Sequence, residues 1–286
     1  MMNFWLDNFL IDNFIISALK EDMYYGDITT DSICASLDNP QFKVYLVARQ
    51  SGILAGRQVF ERVFELLADK KVNVEFRYND GDSFNEGDKL AKITGDARYI
   101  LTGERLALNF IQKMSGIATY TRKFQDKISK YGTRIVDTRK NTPNFRLFEK
   151  YSVRVGCHHL HRFSLSDSVM LKDNHIALYG GSITRAVQEV KKILSHVHKI
   201  EVECDTIDQV KEALENNVDI IMLDNMSVED MKQCVQLIDK KAIIEASGCI
   251  TLDNIEEVAK IGVDVISTSA IIMRAHSIDL GFDYRN

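Results

Sequence analysis

The stretch that decides the fold is IEVECDTIDQVKEALENNVDIIMLD, residues 200–224. Its two apolar runs read as buried strands, and the segment between them has apolar residues at three- and four-residue steps, which is typical of an amphipathic helix. The alternation continues through Ile243-Ile244 and Val265-Ile266, with about 20 to 23 residues between strand starts. A series of such units without a glycine-rich dinucleotide fingerprint favours a closed α/β barrel over a doubly wound sheet.

Helix starts in this half carry suitable capping residues. The three helical segments open on Thr206, Ser227 and Thr251, whose hydroxyls can accept from free amides of the first turn. Ser227 and Asp230 approximate a capping box. Upstream, Ile135-Val136 and Val169-Met170-Leu171 also read as buried strands, so the parallel barrel is predicted to begin well before residue 200.

The first hundred residues have a different pattern. QFKVYLVARQSGILAG (41–56) and KVNVEFRYNDGDSFNEGDKLAKITGDAR (71–98) alternate like antiparallel strands with Gly-containing turns between them. We therefore predict an N-terminal α/β sandwich domain over residues 1–112, with residues 272–286 packing back on it. The α/β barrel is predicted over residues 113–271, and a long helix from about Leu101 is expected to bridge the two.

Composition excludes several classes of protein. The chain has 286 residues, 45% hydrophobic and 27% charged, and a net charge of −5, which argues against a general nucleic-acid binder. The apolar N-terminus contains Asp7 and Asp12, unlike a secretory signal or a membrane span. Five scattered cysteines without a CxxC pair favour a reducing cytoplasm. We expect the N-terminus to form an amphipathic helix with this docking face: Phe4, Trp5, Leu6, Phe9, Leu10, Phe14 and Ile15.

Positive charge is concentrated in one internal segment. Residues 134–172 contain eight Lys or Arg and three Asp or Glu, so this segment is +5 inside a chain of −5. A solvated basic face would explain many such runs. Here the charges stand among strand-like and Gly/His-containing pieces, so a solvated face and an internal anion site stay about equally open from charge alone.

Each strand-like run ends in polar groups, and barrel enzymes build their sites from the carboxyl ends of the strands. The groups are Asp137 to Lys140, Lys172 to His175, Glu203, Asp224-Asn225, Glu245 with Ser247-Gly248, and Ser267 to Ser269. Lysines and arginines suit phosphates and carboxylates, whereas Glu203 and Asp224 suit sugar hydroxyls or Mg²⁺. The predicted ligand is a phosphorylated sugar, with a second ligand that carries carboxylates.

The stretch VGCHHLHR (155–162) allows a different interpretation, a zinc site built from Cys157, His158, His159 and His161. No second ligand pair elsewhere in the sequence completes such a site. The neighbouring Arg162 and the lysines and arginines of adjacent strands would also repel a cation. We therefore favour an anion pocket with His161 and Arg162 in its wall.

The sequence resembles the quinolinate phosphoribosyltransferase family. The resemblance is carried by DTRKNTPNFRLFEKYSVRVGCHHLHR (137–162) and LKDNHI (171–176), and it extends over almost the whole chain. Further matching segments, in order, are GDITT (26–30), ARQSGILAG (48–56), ERLALNFIQKMSGIAT (104–119), EVEC (201–204), IMLDN (221–225) and IEASG (244–248). It implies a sandwich domain with an irregular, TIM-like α/β barrel.

The resemblance also implies an activity. Members of this family join quinolinate to phosphoribosyl pyrophosphate with Mg²⁺, giving nicotinate mononucleotide, CO₂ and pyrophosphate in NAD biosynthesis. By position, Arg139, His161, Arg162 and Lys172 are implied to hold the carboxylates of quinolinate. The family works as a homodimer or larger assembly with shared sites, and Arg105 is implied to reach into the site of a partner subunit.

The sugar donor has its own implied contacts. Lys140 and Lys172 are expected to face the pyrophosphate, and Glu203 and Asp224 the ribose hydroxyls or Mg²⁺, which makes these four the implied catalytic residues. The implied contacts to phosphoribosyl pyrophosphate are Lys140, Glu203, Asp224, Ser247, Gly248, Ser269 and Ala270. No nucleic acid and no membrane is expected as a partner.

The chain departs from the family pattern at VGCHHLHR, where the family commonly has CGGGHNHR. Cys157 and His158 replace glycines and Leu160 replaces an asparagine. A related branch associated with molybdenum transport also alters this stretch but lacks an intact KDNH, which this chain keeps at Lys172–His175. Two alternatives stay open: a paralogue that acts on another ring, and a non-catalytic phosphate- or metal-binding barrel.

Overall fold

The computed structural model describes residues 6–285. The strands among these residues are β1 (Gln41–Ala48), β2 (Gly52–Ile53), β3 (Val72–Phe76), β4 (Ser83–Phe84), β5 (Lys89–Asp96), β6 (Arg134–Val136), β7 (Val169–Leu171), β8 (Ile200–Cys204), β9 (Ile220–Asp224), β10 (Ile243–Ser247), β11 (Val265–Ser267) and β12 (Leu280–Asp283).

The α-helices of the same residues are α1 (Asn8–Asp22), α2 (Ile28–Cys34), α3 (Arg57–Ala68), α4 (Ala97–Ile128), α5 (Arg146–Cys157), α6 (Asp173–Ala177), α7 (Ile183–Ile193), α8 (Ile207–Glu215), α9 (Val228–Ile238), α10 (Ile255–Ala259) and α11 (Ala270–Met273). None of the helices in the described part of the chain is long and apolar enough to cross a membrane.

The chain divides into two compact units. The first contains the described residues up to Arg122, Thr142–Gly156, and the residues from Ala275 onward; the second contains Lys123–Asn141 and Cys157–Arg274. The boundary at Arg122 lies inside α4, which continues without a break to Ile128, and the domain boundary expected at residue 113 stays a prediction. Residues 142–156 belong to the first unit, where Phe145 stacks on Phe110 of α4 and the tilted ring of Phe148 packs against the same residue.

The first unit is built on an antiparallel sheet in the order β12-β1-β5-β3. Tyr45 to Ala48 of β1 pair with β12, which brings the C-terminal strand into this sheet. The aromatic rings of Phe60 and Phe64 in α3 are fully or almost fully buried in its core. Helices and an antiparallel sheet around one core form the predicted α/β sandwich.

The N-terminal helix forms as expected, but its buried face differs from the predicted one. Within α1, Ile11, Ile15 and Leu19 are buried at four-residue spacing, while Phe9, Leu10 and Phe14 are exposed. The β-branched and leucine side chains thus define the packed face rather than the phenylalanines. Leu6 and Ile15 are buried as predicted, whereas Phe4 and Trp5 lie outside the described residues.

The second unit is built on six parallel strands in the order β6-β11-β10-β9-β8-β7, with helices in the connections. This confirms the TIM-like α/β architecture. The strands β6 and β7 stand at the two ends of this order, and among the described residues no ladder joins them. The barrel is therefore irregular at this seam, as the family resemblance implied.

The predicted helix caps are largely confirmed. The hydroxyls of Thr206 and Ser227 accept from the amides of Gln209 and Asp230 at the starts of α8 and α9. Thr251 is the exception, because its own amide donates to the side chain of Asn254 at 2.8 Å. This local turn delays the helix, and α10 begins only at Ile255.

Candidate active site

The carboxyl ends of the parallel strands surround a cavity of about 600 Å³. Successive side chains of a strand point to opposite faces, so the last inward residues of neighbouring strands converge. The cavity is lined by Thr138, Arg139, Lys140, His161, Arg162, Met170, Lys172, Glu203, Met222, Asp224, Asn225, Ser247, Gly248, Cys249 and Ser267. This set brings together every predicted site residue except Arg105, Ser269 and Ala270.

Those three residues lie elsewhere. Arg105 is exposed on α4 in the first unit, where it lines a separate cavity of about 340 Å³ with Asp27 and Thr102. Ala270 is buried at the start of α11, and its amide already donates to the hydroxyl of Thr268 at 3.1 Å. Contact of Ser269 and Ala270 with a ligand in this cavity stays a prediction.

Two guanidinium groups form the strongly basic part of the wall. The Nη1 of Arg162 donates to the carbonyl of Ser168 at 2.8 Å, which fixes its plane. Burial, and then the charge of Arg139, lowers the pKa of Arg162. The Nε of Arg139 is buried and has no hydrogen-bond partner among residues 6–285. A buried donor left unpaired costs about 1–3 kcal/mol, so an anion at Arg139 would remove a real penalty.

The motif residue Lys172 is held from two sides. Its Nζ lies 2.9 Å from Oε2 of Glu203 on the neighbouring strand. Its backbone amide donates to Nδ1 of His175 in the first turn of α6, at 3.1 Å. His175 therefore closes the turn after β7, and this contact gives the fourth residue of the KDNH motif a local structural role.

Asp224 and its neighbours form the opposite part of the rim. Burial, and then the charge of Asp205, raises the pKa of Asp224. Asn225 donates from Nδ2 to Asp224 at 2.7 Å, and its amide donates to the carbonyl of Ser247. Gly248 has φ +93°, and a Cβ there would lie 2.2 Å from Oδ1 of Asn225. Only glycine fits this close approach of Asn225 to the backbone.

Two departures of the segment VGCHHLHR from the family pattern, Cys157 and His158, can be examined in the structure. Cys157 is buried, with Sγ 3.4 Å from the carbonyl of Ile135 and 3.3 Å from that of His159. It therefore packs instead of facing the cavity. His158 is exposed with φ +68°, in the left-handed region that favours glycine. The family's glycine at this position thus has a conformational reason, and His158 carries some strain.

His161 is held almost entirely by protein groups. Its amide donates to Oδ1 of the buried Asp137 at 2.9 Å, and its Nδ1 accepts from the amide of Arg162 at 2.7 Å. Its Nε2 lies 3.2 Å from Oε1 of Glu245 and 3.6 Å from Oε1 of Glu201. Burial lowers the pKa of His161 and the two carboxylates raise it, whereas the amide of Arg162, which donates to Nδ1, favours the neutral imidazole.

The ligand atoms of His161, Glu201 and Glu245 lie within 4.8 Å of one another, close enough to hold a metal ion. The hydrogen bond from Arg162 argues against that reading. Because Nδ1 of His161 accepts this bond, the proton of a neutral imidazole stands on Nε2, which then has no lone pair for a metal. Burial raises the pKa of Glu201.

The sequence assigned Mg²⁺ to Glu203 and Asp224, which do not belong to the cluster around His161. Glu203 and Asp224 both line the cavity and offer the hard oxygen atoms that Mg²⁺ prefers. Glu203 already pairs with Lys172, so these two carboxylates cannot form a complete cage. They fit an ion that keeps water and takes further oxygens from a bound phosphate.

Sequence reasoning missed Met170, Met222 and Cys249 in the lining, and the partnership of Glu201 and Glu245 with His161. The methionines stood within apolar strand runs. A usable signal did exist for the glutamates: charged residues at Glu201 and Glu245 inside buried strands are costly unless they are paired.

Comparison with known proteins agrees with this geometry. Residues 27–115 match the family model described as quinolinate phosphoribosyl transferase, N-terminal domain, and residues 117–283 match the C-terminal domain of the same family. A Synechocystis protein named "Probable nicotinate-nucleotide pyrophosphorylase [carboxylating]" is 42% identical over 265 residues, covering 92% of this chain and 88% of its own.

Two further relatives support the same assignment. A Bacillus subtilis protein of the same name is 38% identical over 263 residues, covering 92% of this chain and 89% of its own. The crystal structure of NadC from Streptococcus pyogenes is 41% identical, covers 97% of each chain and superposes with a TM-score of 0.92. The chain belongs to the quinolinate phosphoribosyltransferase family.

Proposed function

We infer that this chain is a decarboxylating quinolinate phosphoribosyltransferase of NAD biosynthesis. It transfers phosphoribosyl from phosphoribosyl pyrophosphate to quinolinate and yields nicotinate mononucleotide, CO₂ and pyrophosphate. The observation that carries this inference is the buried Nε of Arg139, which lacks a partner among residues 6–285 and stands in the wall of a cavity rich in cations. The family membership and the names of the relatives support it.

Quinolinate is a dianion, so its site must supply compensating positive charge. We assign its carboxylates to Arg139, Arg162 and Lys172, which line one cavity. Guanidinium groups bind carboxylates through two parallel hydrogen bonds, which also fixes the plane of the ring. Arg105 does not line this cavity, and following the family resemblance we assign it to the site of a second subunit.

The sugar donor is assigned to the other side of the rim. Lys140 is exposed at the cavity and free to approach the pyrophosphate, while Glu203 and Asp224 face the ribose hydroxyls. Ser247 and Gly248 line the same cavity, and we assign the ribose phosphate to them. Mg²⁺, held by Glu203 and Asp224, would supply charge neutralisation for the pyrophosphate.

The chemistry follows from these positions. The ring nitrogen of quinolinate forms a bond to the anomeric carbon of the ribose as the bond to pyrophosphate breaks, and the electron pair leaves with the pyrophosphate. Lys140 and Lys172 stabilise that negative charge, an effect commonly worth a few kcal/mol per donor. Holding two anions in register contributes roughly 7 kcal/mol or more.

Decarboxylation then needs little from the protein. The ribosylated ring nitrogen is positively charged and accepts the electron pair of the breaking bond between the adjacent ring carbon and its carboxylate. CO₂ leaves, and the ring carbon takes a proton from solvent. No covalent intermediate with the enzyme is required. The free cysteines, four of them buried, suit the cytoplasmic location that we propose.

One assay tests the function. The purified protein is incubated with quinolinate, phosphoribosyl pyrophosphate and Mg²⁺, and nicotinate mononucleotide and released CO₂ are measured. Product with quinolinate supports the proposal. Pyrophosphate release with another base, and none with quinolinate, would replace it with a paralogous transferase. Stoichiometric zinc binding without turnover would favour a binding protein.

A further inference from the structure

A second cavity of about 330 Å³ lies at the opposite ends of the strands. Its lining includes the first residues of three strands, Ile220, Ile243 and Val265. His161 and Arg162 line both this cavity and the candidate active site. The layer that contains His161 therefore separates the two cavities and forms the floor of the active site.

Both ring nitrogens of His161 are directed at protein groups. Nδ1 accepts from the amide of Arg162, and Nε2 approaches the carboxylates of Glu245 and Glu201. The side chains of these two glutamates are almost fully buried. The Oε1 atoms of both glutamates are buried and have no other hydrogen-bond partner among residues 6–285, so Nε2–H of His161 is the donor nearest to them.

The main chain at this point is fixed by the same contacts. Asp137 accepts from the amide of His161, and His161 accepts from the amide of Arg162. Arg162 then donates through its guanidinium to the carbonyl of Ser168. A rigid His161 thus sets the point from which the Arg162 side chain extends into the cavity.

We propose that Glu245, with Glu201 beside it, is a positioning residue that anchors the imidazole of His161, so that His161 fixes Arg162 for quinolinate without contacting quinolinate itself. The proposal rests on the proposed function for its substrate. Its physical basis is the contact chain from β10 and β8 through the imidazole to the Arg162 amide. Displacing the imidazole would move one carboxylate-binding group while leaving the sugar-donor residues in place.

The kinetic test separates quinolinate from the donor. In the Glu245→Ala variant we expect the KM for quinolinate to rise about tenfold, with kcat and the KM for phosphoribosyl pyrophosphate within about twofold. Glu245→Gln keeps an acceptor for Nε2–H and should recover most of the loss. Glu212→Gln is the matched control, because this carboxylate accepts from Thr184 at the α7–α8 contact, away from the site.

A double-mutant cycle tests whether Glu245 acts through His161. In a His161→Ala background, adding Glu245→Ala should change the KM for quinolinate by less than about twofold. The same rise with and without His161 would overturn the proposal, as would an unchanged KM in the single variant. If Glu245→Ala does not fold, the same comparison is made with Glu245→Leu, which fills the volume but removes the acceptor, and an unchanged KM for quinolinate in that variant then counts against the proposal.

A readout without turnover completes the design. In ¹⁵N-histidine spectra of the wild-type protein, His161 should show a protonated Nε2 and an unprotonated Nδ1, both unchanged on adding quinolinate. A protonated Nδ1, or a His161 nitrogen that shifts through a direct bond to quinolinate, would contradict the proposal. Absence of turnover in the wild type would instead refute the proposed function. The protonation of the two His161 nitrogens would then still test whether the glutamates anchor the imidazole.

Discussion

Lys172 and Glu203 form an ion pair at the carboxyl ends of two neighbouring parallel strands, with 2.9 Å between Nζ and Oε2. β7 and β8 pair in register from Val169 with Ile200 to Leu171 with Val202, so the pair extends the strand register by one residue. A lysine assigned to two anionic ligands is thus held in the free protein by a carboxylate. Ligand binding must exchange this partner for phosphate or carboxylate oxygens.

Glu203→Gln should therefore affect the sugar donor more than quinolinate. The variant keeps the shape but removes the charge that holds Lys172 and would face the ribose hydroxyls or Mg²⁺. We expect the KM for phosphoribosyl pyrophosphate to rise about tenfold, with the KM for quinolinate changed less than about threefold. Initial rates measure both. Glu189→Gln, which loses only a surface pair with Lys192, is the control; equal rises for both substrates would contradict the assignment.

Arg139→Ala should weaken quinolinate binding most. Its loss removes a charged donor from the cavity wall, so the KM for quinolinate should rise about 10- to 100-fold, with a much smaller change for the donor. The KM of Arg139→Lys for quinolinate should lie between those of the wild type and Arg139→Ala, because an ammonium group keeps the charge but lacks the planar fork of the guanidinium. The exposed Arg185→Ala serves as the control. A larger rise in the KM for phosphoribosyl pyrophosphate than in that for quinolinate would instead assign Arg139 to the pyrophosphate.

Mixing two inactive variants tests the shared site. Arg105→Ala removes the arginine assigned to a partner's site, and Lys172→Ala removes the lysine of the cavity. In mixed dimers, one site should combine an intact Arg105 with an intact Lys172, so activity should reappear. The two proteins carry different affinity tags so that mixed dimers can be isolated. No activity in such dimers would argue against a site shared between subunits.

His158→Gly should stabilise the protein. The residue has φ +68°, which glycine adopts without steric cost, and the imidazole is exposed. We expect the free energy of unfolding to rise by about 0.5–1 kcal/mol in denaturant titrations. The neighbouring His159→Gly is the matched control and should not stabilise, because His159 lacks a left-handed backbone. Equal changes in the free energy of unfolding for His158→Gly and His159→Gly would contradict backbone strain at His158.

Lowering the pH should remove the stabilisation that the contacts of Glu256 provide. Hydrogen bonds from Tyr131 and then Lys130 lower the pKa of Glu256 from 4.5 to about 2. Because the pKa is lower in the folded state, the stabilisation is present above pH 4.5 and is lost as the pH falls towards 2. In urea titrations, wild type should exceed Glu256→Gln near neutral pH and converge with it in acid. A pH-independent difference would contradict this.

The sequence predicted the rim of the site better than its floor. Lys172, Glu203, Asp224 and Ser247 were recognisable because each stands at the end of an apolar run, and parallel strands place their carboxyl ends together. Ser269 satisfied the same rule, and Ala270 was implied by the resemblance, but neither is in the lining; beside them the hydroxyl of Thr268 donates to the carbonyl of Ile250 and accepts from the amide of Ala270.

The helix caps and the packed face of α1 also separate what the sequence predicts from what the structure decides. Thr206 and Ser227 cap their helices as expected, since capping depends on the next three residues alone. Thr251 does not, because the side chain of Asn254 competes for its backbone. For α1 the phenylalanines were the natural apolar face by size, but packing selected Ile11, Ile15 and Leu19.

By itself the sequence determined the succession of strands and helices and the polar residue that ends each strand, because periodicity and capping are local properties. Only the tertiary structure decided that Glu201 and Glu245 meet at the imidazole of His161. Their strands are separated by β9 in the sheet, and His161 comes from the segment between α5 and β7, so three distant parts of the sequence meet at this point. Sheet order and strand curvature, which no short stretch of sequence contains, bring these charges together.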